Sequence, residues 1–191
     1  MTNLNAEWDD LYACIKDCRK CRLCEQRTNI VIGDGDPNSP IMFIGEGPGR
    51  EEDEQGIPFV GAAGRLFNYL LEEAALERKN IYICNIVKCR PPQNRDPFPD
   101  EAEACLPYLR TQVSLVRPKV IVCLGRIAAR YIYDRDIQIT AQRGQVKQKG
   151  SYCIIPTYHP AALLRREELT NDFVSDLITA KRLLDRLNTA Q

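Results

Sequence analysis

The chain has 191 residues, 44% apolar and 27% charged, with 26 Lys and Arg against 26 Asp and Glu. That length and balance suit one soluble domain spanning residues 1–191, with enough chain to bury a full core. They exclude a disordered or collagen-like chain and a global nucleic-acid charge footprint, and no apolar run approaches the ~20 residues that cross a bilayer.

The first stretch, MTNLNAEWDDLYACIKDC, is acidic and lacks the basic-then-apolar layout of a signal peptide, so a cytoplasmic protein is expected. Within it Leu4, Trp8, Leu11, Tyr12 and Ile15 fall at helical spacing and predict an amphipathic helix reaching the first cysteines. IMFIGE reads as a buried strand, followed by the glycine-rich turn GEGPG. AAGRLFNYLLEEAAL is a strong helix with Leu66, Phe67, Leu70, Leu71 and Ala74 on one face. IYICNIVK is a second strand, and it opens into the proline-broken loop CRPPQNRDPFP. A helix from about Pro99 to Val116, the strand VIVCLG, the helix RIAARYIY and the strand CIIPTY follow. FVSDLITAKRLLDRL closes the chain as a helix with Phe173, Leu177, Ile178 and Leu184 as its apolar stripe.

Strands alternating with helices predict a mostly parallel sheet covered on both faces. Ligands of such sheets bind beyond the carboxyl ends of the strands. Three distant segments end there and should share one crevice: GEGPGREEDEQGIPFVG, NIVKCRPPQNR and YHPAALLRR.

Charge is uneven along the chain. Arg110 to Arg166 holds eleven Lys or Arg against Asp134 and Asp136, a net of +9. A basic face toward a polyanion and a set of solvated helix faces both fit, and on charge alone solvation is the better account.

Nine cysteines in a chain read as cytoplasmic point to metal binding or reactive thiols rather than disulfides. Cys84, Cys123 and Cys153 lie within strands and act as small core hydrophobes. That leaves Cys14, Cys18, Cys21, Cys24, Cys89 and Cys105. Cys18 and Cys21 form C-x-x-C, and Cys89 and Cys105 can complete four thiolates for either an iron–sulfur cluster or zinc. Spacing alone leaves both open.

The remaining candidates are single residues. GEGPG lacks the Lys-Ser/Thr of a phosphate-binding P-loop, but it carries Glu46 at a strand end, where a carboxylate can face a reacting centre. His159 is the only histidine, which excludes zinc sites needing two, and it sits at the ligand edge of the sheet. Phe59, between Pro and Val-Gly in a loop, suits stacking on a planar ring as well as core packing. Asn85, inside an apolar strand, needs a partner for its amide, either structural or a ligand.

In order along the chain, CRKCRL, GEGPGREEDEQGIPFVGAAG, NIVKCRPPQNRDPFPDEAEAC, LGRIAA and YHPAALLR resemble the family 4 uracil-DNA glycosylases, the iron–sulfur type. The resemblance covers about residues 14 to 186. It implies a three-layer α/β/α fold with a four-stranded parallel sheet and one [4Fe-4S] cluster held by Cys18, Cys21, Cys89 and Cys105. It further implies a monofunctional hydrolase that flips uracil out of DNA and excises it, starting base excision repair. On this chain Glu46 would orient water and stabilise the cationic sugar, and His159 would donate to the uracil carbonyl. Phe59 would stack on the base, Asn85 would read its pairing edge, and Gly47 would offer backbone access. Glu52 would shape the pocket side that rejects thymine's methyl group. Leu163 or Leu164 would fill the vacated stack, and Arg165 would contact phosphate. The expected partner is uracil-containing DNA, with a sliding clamp or downstream repair proteins as candidates, and the expected state is a monomer. A non-catalytic iron–sulfur DNA-binding module with the same fold is the rival reading; Glu46, Asn85 and His159 all being present argues against it.

Overall fold

The computed structural model describes residues 4–189, with the side chains of residues 4 and 5 outside the description. Helix α1 (Leu4–Ile15) precedes strands β1 (Asp34–Gly35) and β2 (Ile41–Gly45). Helices α2 (Arg50–Gln55) and α3 (Ala62–Glu73) lead to β3 (Tyr82–Asn85), then α4 (Pro99–Val116), β4 (Val120–Leu124) and α5 (Arg126–Ile132). The chain closes through α6 (Ile139–Gln142), β5 (Lys147–Lys149), β6 (Tyr152–Thr157), α7 (Pro160–Leu163) and α8 (Thr170–Thr189).

The sheet order is β1-β3-β2-β4-β6-β5. The four expected strands are its parallel centre, with Phe43 opposite both Ile83 and Val122, and Val122 opposite Ile155. The expectation of four strands needs correcting to six, because β1 and β5 add antiparallel edges of two and three residues. Both edges are exposed and carry no apolar alternation to announce them. Pro156 is accommodated in β6 because β5 has ended by then, its last pair being Lys147 with Ile154. A proline without a ladder partner on its nitrogen side costs no hydrogen bond.

Period-two alternation divides the core into two layers. Met42, Ile44, Cys84, Ile121, Cys123 and Ile154 face α1, α4 and α5. Ile41, Phe43, Ile83, Val120, Val122 and Ile155 face α3 and α8. Phe67 of α3 joins the second layer, its ring meeting Phe43 edge-on at 5.2 Å and Phe173 at 6.4 Å. Truncating so buried an aromatic typically costs about 3–5 kcal/mol.

Two expectations shift at the helix level. On α1, Trp8, Leu11 and Ile15 are buried but Tyr12 is exposed at the edge of the stripe; the side chain of Leu4 lies outside the described residues. Helix α3 stops at Glu73 rather than running to Leu76, because Ala75 takes a left-handed φ of 55°. That turn sends Leu76 back into the core. Among the described residues, no helix is long and apolar enough to cross a membrane.

Candidate functional site

Strands β2 and β3 connect on one side of the sheet, and β4 and β6 follow on the other, so the topology reverses beside β2. Ligand crevices form outside the carboxyl ends of strands at such a reversal. A crevice of about 1050 Å³ opens there, lined among others by Glu46, Gly47, Glu52, Phe59, Asn85, His159 and Arg165. Residues from four strand ends and from positions 46 to 165 thus meet at one place.

Asn85 ends β3 at 1% exposure, and its carboxamide oxygen has no hydrogen-bond partner. Gly45 lies under it: a Cβ at that position would overlap Asn85 Oδ1 and crowd the Phe59 ring. The glycine therefore lets amide and ring close over the strand. Lys88, itself 1% exposed, donates to the Asn85 carbonyl oxygen at 2.7 Å and fixes the strand end.

Phe59 has a φ of 57°, a conformation that L-residues avoid. Its ring rests on Phe67 at 5.5 Å and faces the His159 imidazole at 5.9 Å. Glu52 holds the strained loop. Its carboxylate caps α2 by accepting from Gly49 N–H at 3.1 Å and accepts from Val60 and Gly61 N–H at 3.0 and 2.7 Å. Gly64 in the first turn of α3 completes the fit, since any Cβ there would collide with the Phe59 carbonyl.

His159 follows β6 and caps α7, its Nδ1 accepting from Ala161 N–H at 3.1 Å. That bond leaves the ring proton on Nε2. Burial pushes the imidazole down to about 4, so it is neutral at pH 7 and Nε2 is a donor. Glu46 moves the other way. Burial and the nearby Asp96 raise its carboxyl to about 7, with Arg126 opposing. Asp96 and Arg126 pair at 2.6 Å on the crevice wall. Sequence reasoning missed both; the one cue was an acidic residue within the basic, proline-rich loop.

The two candidate wedge residues separate. Leu163 is 3% exposed and packed in the second core layer, whereas Leu164 stands 53% exposed. The basic stretch also divides: Arg126 and Arg165 line the crevice, while Arg143 is spent inside on Asp176 at 2.6 Å.

The thiols gather on the other side of the β3–α4 loop. Cys89 and Cys105 are buried in the first core layer, with Cys18 and Cys21 packed against it. Each is within electrostatic reach of others in the set. Burial raises Cys21, with Cys105 and Cys18 adding to it, and burial pushes Cys89 up to about 11 against Arg27, with Cys105 and Cys21 adding. Arg27 donates to Cys89 Sγ at 3.3 Å and to the Cys18 carbonyl at 2.7 Å; Lys88 N–H donates to Cys105 Sγ at 3.4 Å. Such donors suit sulfurs that carry charge. Among the described residues, no three His, Cys, Asp or Glu side chains stand grouped as they would to hold a metal ion.

The family model for the uracil DNA glycosylase superfamily matches residues 32–180. A type-4 uracil-DNA glycosylase of Archaeoglobus fulgidus is 46% identical over 176 residues, covering 88% of each chain. One of Thermotoga maritima is 44% identical over 176 residues, 90% of this chain and 92% of its own. A type-5 uracil-DNA glycosylase of Pyrobaculum aerophilum is 30% identical over 146 residues, 68% and 64% of the two chains. With a superfamily match across the sheet and its ligand edge, and identity above 40% over most of the length, the chain belongs to the type-4 uracil-DNA glycosylases.

Proposed function

We propose that this single-domain protein flips uracil out of DNA and hydrolyses its glycosidic bond, the step that starts base excision repair. The observation that carries this reading is Asn85: a buried carboxamide oxygen with no partner, facing a crevice large enough for a nucleoside. A buried acceptor left unpaired costs about 1–3 kcal/mol, which a ligand donor offsets. Uracil N3–H is such a donor, and the amide's own N–H₂ suits O4. Phe59 stacks on the ring. Glu52, by fixing the Phe59 loop, sets the room beside C5 that excludes thymine's methyl group, and Gly47 lets the base pass close to backbone.

In the reaction the C1′–N1 bond breaks and its electron pair leaves with uracil. Water's oxygen then bonds to C1′ and loses a proton. Neutral His159 donates from Nε2 to the carbonyl where negative charge grows, a contact worth about 3–4 kcal/mol in comparable sites. Glu46, in its ionised form, accepts from water and faces the cationic sugar. Leu164, not the core residue Leu163, fills the gap left by the base, and Arg165 meets the phosphate backbone. The crevice lining contains no lysine, which favours a monofunctional enzyme that leaves the abasic strand intact.

The four thiols suit one [4Fe-4S] cluster by donor type and by the N–H donors at Cys89 and Cys105 Sγ, with Cys18, Cys21, Cys89 and Cys105 as ligands. When bound, the cluster ties the N-terminal corner to the β3–α4 loop. Purified protein should contain iron and inorganic sulfide in equal amounts. Cys21→Ser should lose the iron and Cys24→Ser should keep it; the reverse pattern would reassign the ligands. A reducing, cytoplasmic setting suits these free thiols. One copy of the chain completes the crevice, so a monomer suffices, and a sliding clamp or downstream repair proteins would meet it elsewhere on the surface.

Single-turnover assays on oligonucleotides carrying uracil or cytosine test the base-reading step. Asn85→Asp should lose uracil release by roughly 10³-fold or more and narrow the preference over cytosine. Wild-type uracil rates with unchanged discrimination would show that Asn85 does not read the base.

A further inference from the structure

Asp96 reaches the crevice from the loop between Cys89 and Cys105, and it stands between two unlike neighbours. Arg126, the first residue of α5, pairs with it at 2.6 Å. Glu46, just past the end of β2, lines the same crevice, close enough for Asp96 to add to burial in raising its carboxyl and for Arg126 to oppose the rise. Two strand ends and the β3–α4 loop therefore contribute one charged group each to a short chain, Glu46–Asp96–Arg126.

Most other charged groups around the crevice are engaged elsewhere. Glu52 is taken up by three backbone amides, Glu51 by Arg65 at 3.0 Å, and Arg95 by Glu101 at 2.7 Å. Arg50 lies nearest Glu54 at 3.8 Å, and Arg90 donates to Asn94. His159 is a neutral ring, and Arg165 lies beyond α7. Asp96 is thus the carboxylate that faces Glu46, and Arg126 is its counterweight.

We propose that Asp96, held by Arg126, is a positioning residue for the reaction: it fixes the orientation of Glu46 and its share of protons. The proposal rests on the reading of Glu46 as the group that accepts from water. Two neighbouring carboxyls ionise together only at a cost, so one proton is shared while both stay close. Protonated Glu46 donates to Asp96 and cannot take a proton from water; ionised Glu46 can. By neutralising Asp96, Arg126 lowers the cost of that second ionisation.

The two partners of this ion pair should consequently act in opposite directions. Asp96→Asn removes a like charge, so Glu46 ionises at lower pH and the acid limb of the single-turnover rate moves down. Arg126→Gln removes the counterweight and moves the limb up. Each shift should be on the order of half a unit to one unit, larger at low salt because both partners are half exposed. Saturating protein removes any loss of DNA affinity from the comparison.

The experiment measures single-turnover rates from about pH 5 to 9 for wild type, both variants and Glu46→Gln. Alongside it, carboxyl-carbon NMR titrates Glu46 in the DNA-free protein, with Glu46→Gln identifying the resonance. Opposite shifts in both readouts are expected. If Glu46→Gln keeps the wild-type rate and acid limb, the catalytic reading of Glu46 fails, and the NMR titration still decides whether Asp96 governs its ionisation. Titration of Glu46 that is unmoved, or moved the same way by both variants, overturns the proposal and leaves a salt bridge that serves folding alone.

Discussion

Adjacent residues of one loop serve two carboxyl groups in two regions, with opposite results. Arg95 turns toward the start of α4 and grips Glu101 through two bonds of 2.8 and 2.7 Å. Phe98 N–H adds a third at 2.7 Å, and the fully buried Glu101 is held below the ordinary carboxylate range, chiefly by Arg95. Asp96 turns toward the crevice and meets Glu46, which burial and this neighbour hold far above that range. Where the loop must be rigid, every acceptor is filled. Where, on our proposal, a substrate and water enter, an acceptor is left open on Asn85. Burial is common to both regions; what separates scaffold from reaction site is whether the polar capacity is used up.

The strongest way to break this contrast is to neutralise the open carboxyl. Glu46→Gln should reduce single-turnover uracil release by about 10²–10⁴-fold. Its melting temperature should stay level or rise at pH 8, because an ionisation that opposes folding is gone. A matching loss of rate and stability would put Glu46 with Glu101 as scaffold.

Removing the filler from the closed carboxyl should do the reverse. Arg95→Ala leaves Glu101 with Phe98 N–H and with Arg22 at 3.8 Å, and should cost about 2–3 kcal/mol in denaturant unfolding. At a temperature where the variant remains folded, uracil release should fall far less than in Glu46→Gln.

The smallest effect is the most diagnostic, since its sign differs between the two groups. Glu46 titrates higher in the folded state, so native protein binds more protons between the ordinary glutamate value and about 7. Its contribution to stability therefore declines as pH rises through that window. Glu101 titrates lower when folded; its contribution is present above the ordinary value and is lost as pH falls through the depressed one. Unfolding midpoints against pH for wild type, Glu46→Gln and Glu101→Gln should yield difference slopes of opposite sign. Slopes of one sign would show that the two sites do not differ as described.

The sequence made the sheet's centre legible because its strands are continuous apolar runs, as strands buried on both faces must be. The edges β1 and β5 were hidden for the converse reason: Asp34–Gly35 and Lys147–Lys149 are short, polar and paired on one side only. Helix α4 was readable at both ends, with Pro99 opening it and Pro118 just past its close. The early end of α3 was not, because alanine at 75 gives no sign of a left-handed turn. At the ligand edge, residues of unusual type for their place could be singled out, such as an asparagine in an apolar strand and a lone histidine. Asp96 could not. An aspartate in a loop is ordinary, and only the folded chain shows that its neighbour is a glutamate fifty positions earlier. Adjacent leucines 163 and 164 were equally opaque, since one turn of a short helix sends one inward and the next outward.

Gly64 has a bearing on any effort to make this protein tougher. A library aimed at heat tolerance would target helix glycines early, since alanine gains up to about 1 kcal/mol in a helix. Here the added methyl would push against the Phe59 carbonyl, and the loop would have to slide off the helix that supports it. The ring would move with it, away from its place above Gly45 and beside His159. Because the clash is with backbone, alanine at 64 should lower melting temperature and turnover together, and either screen would reject it.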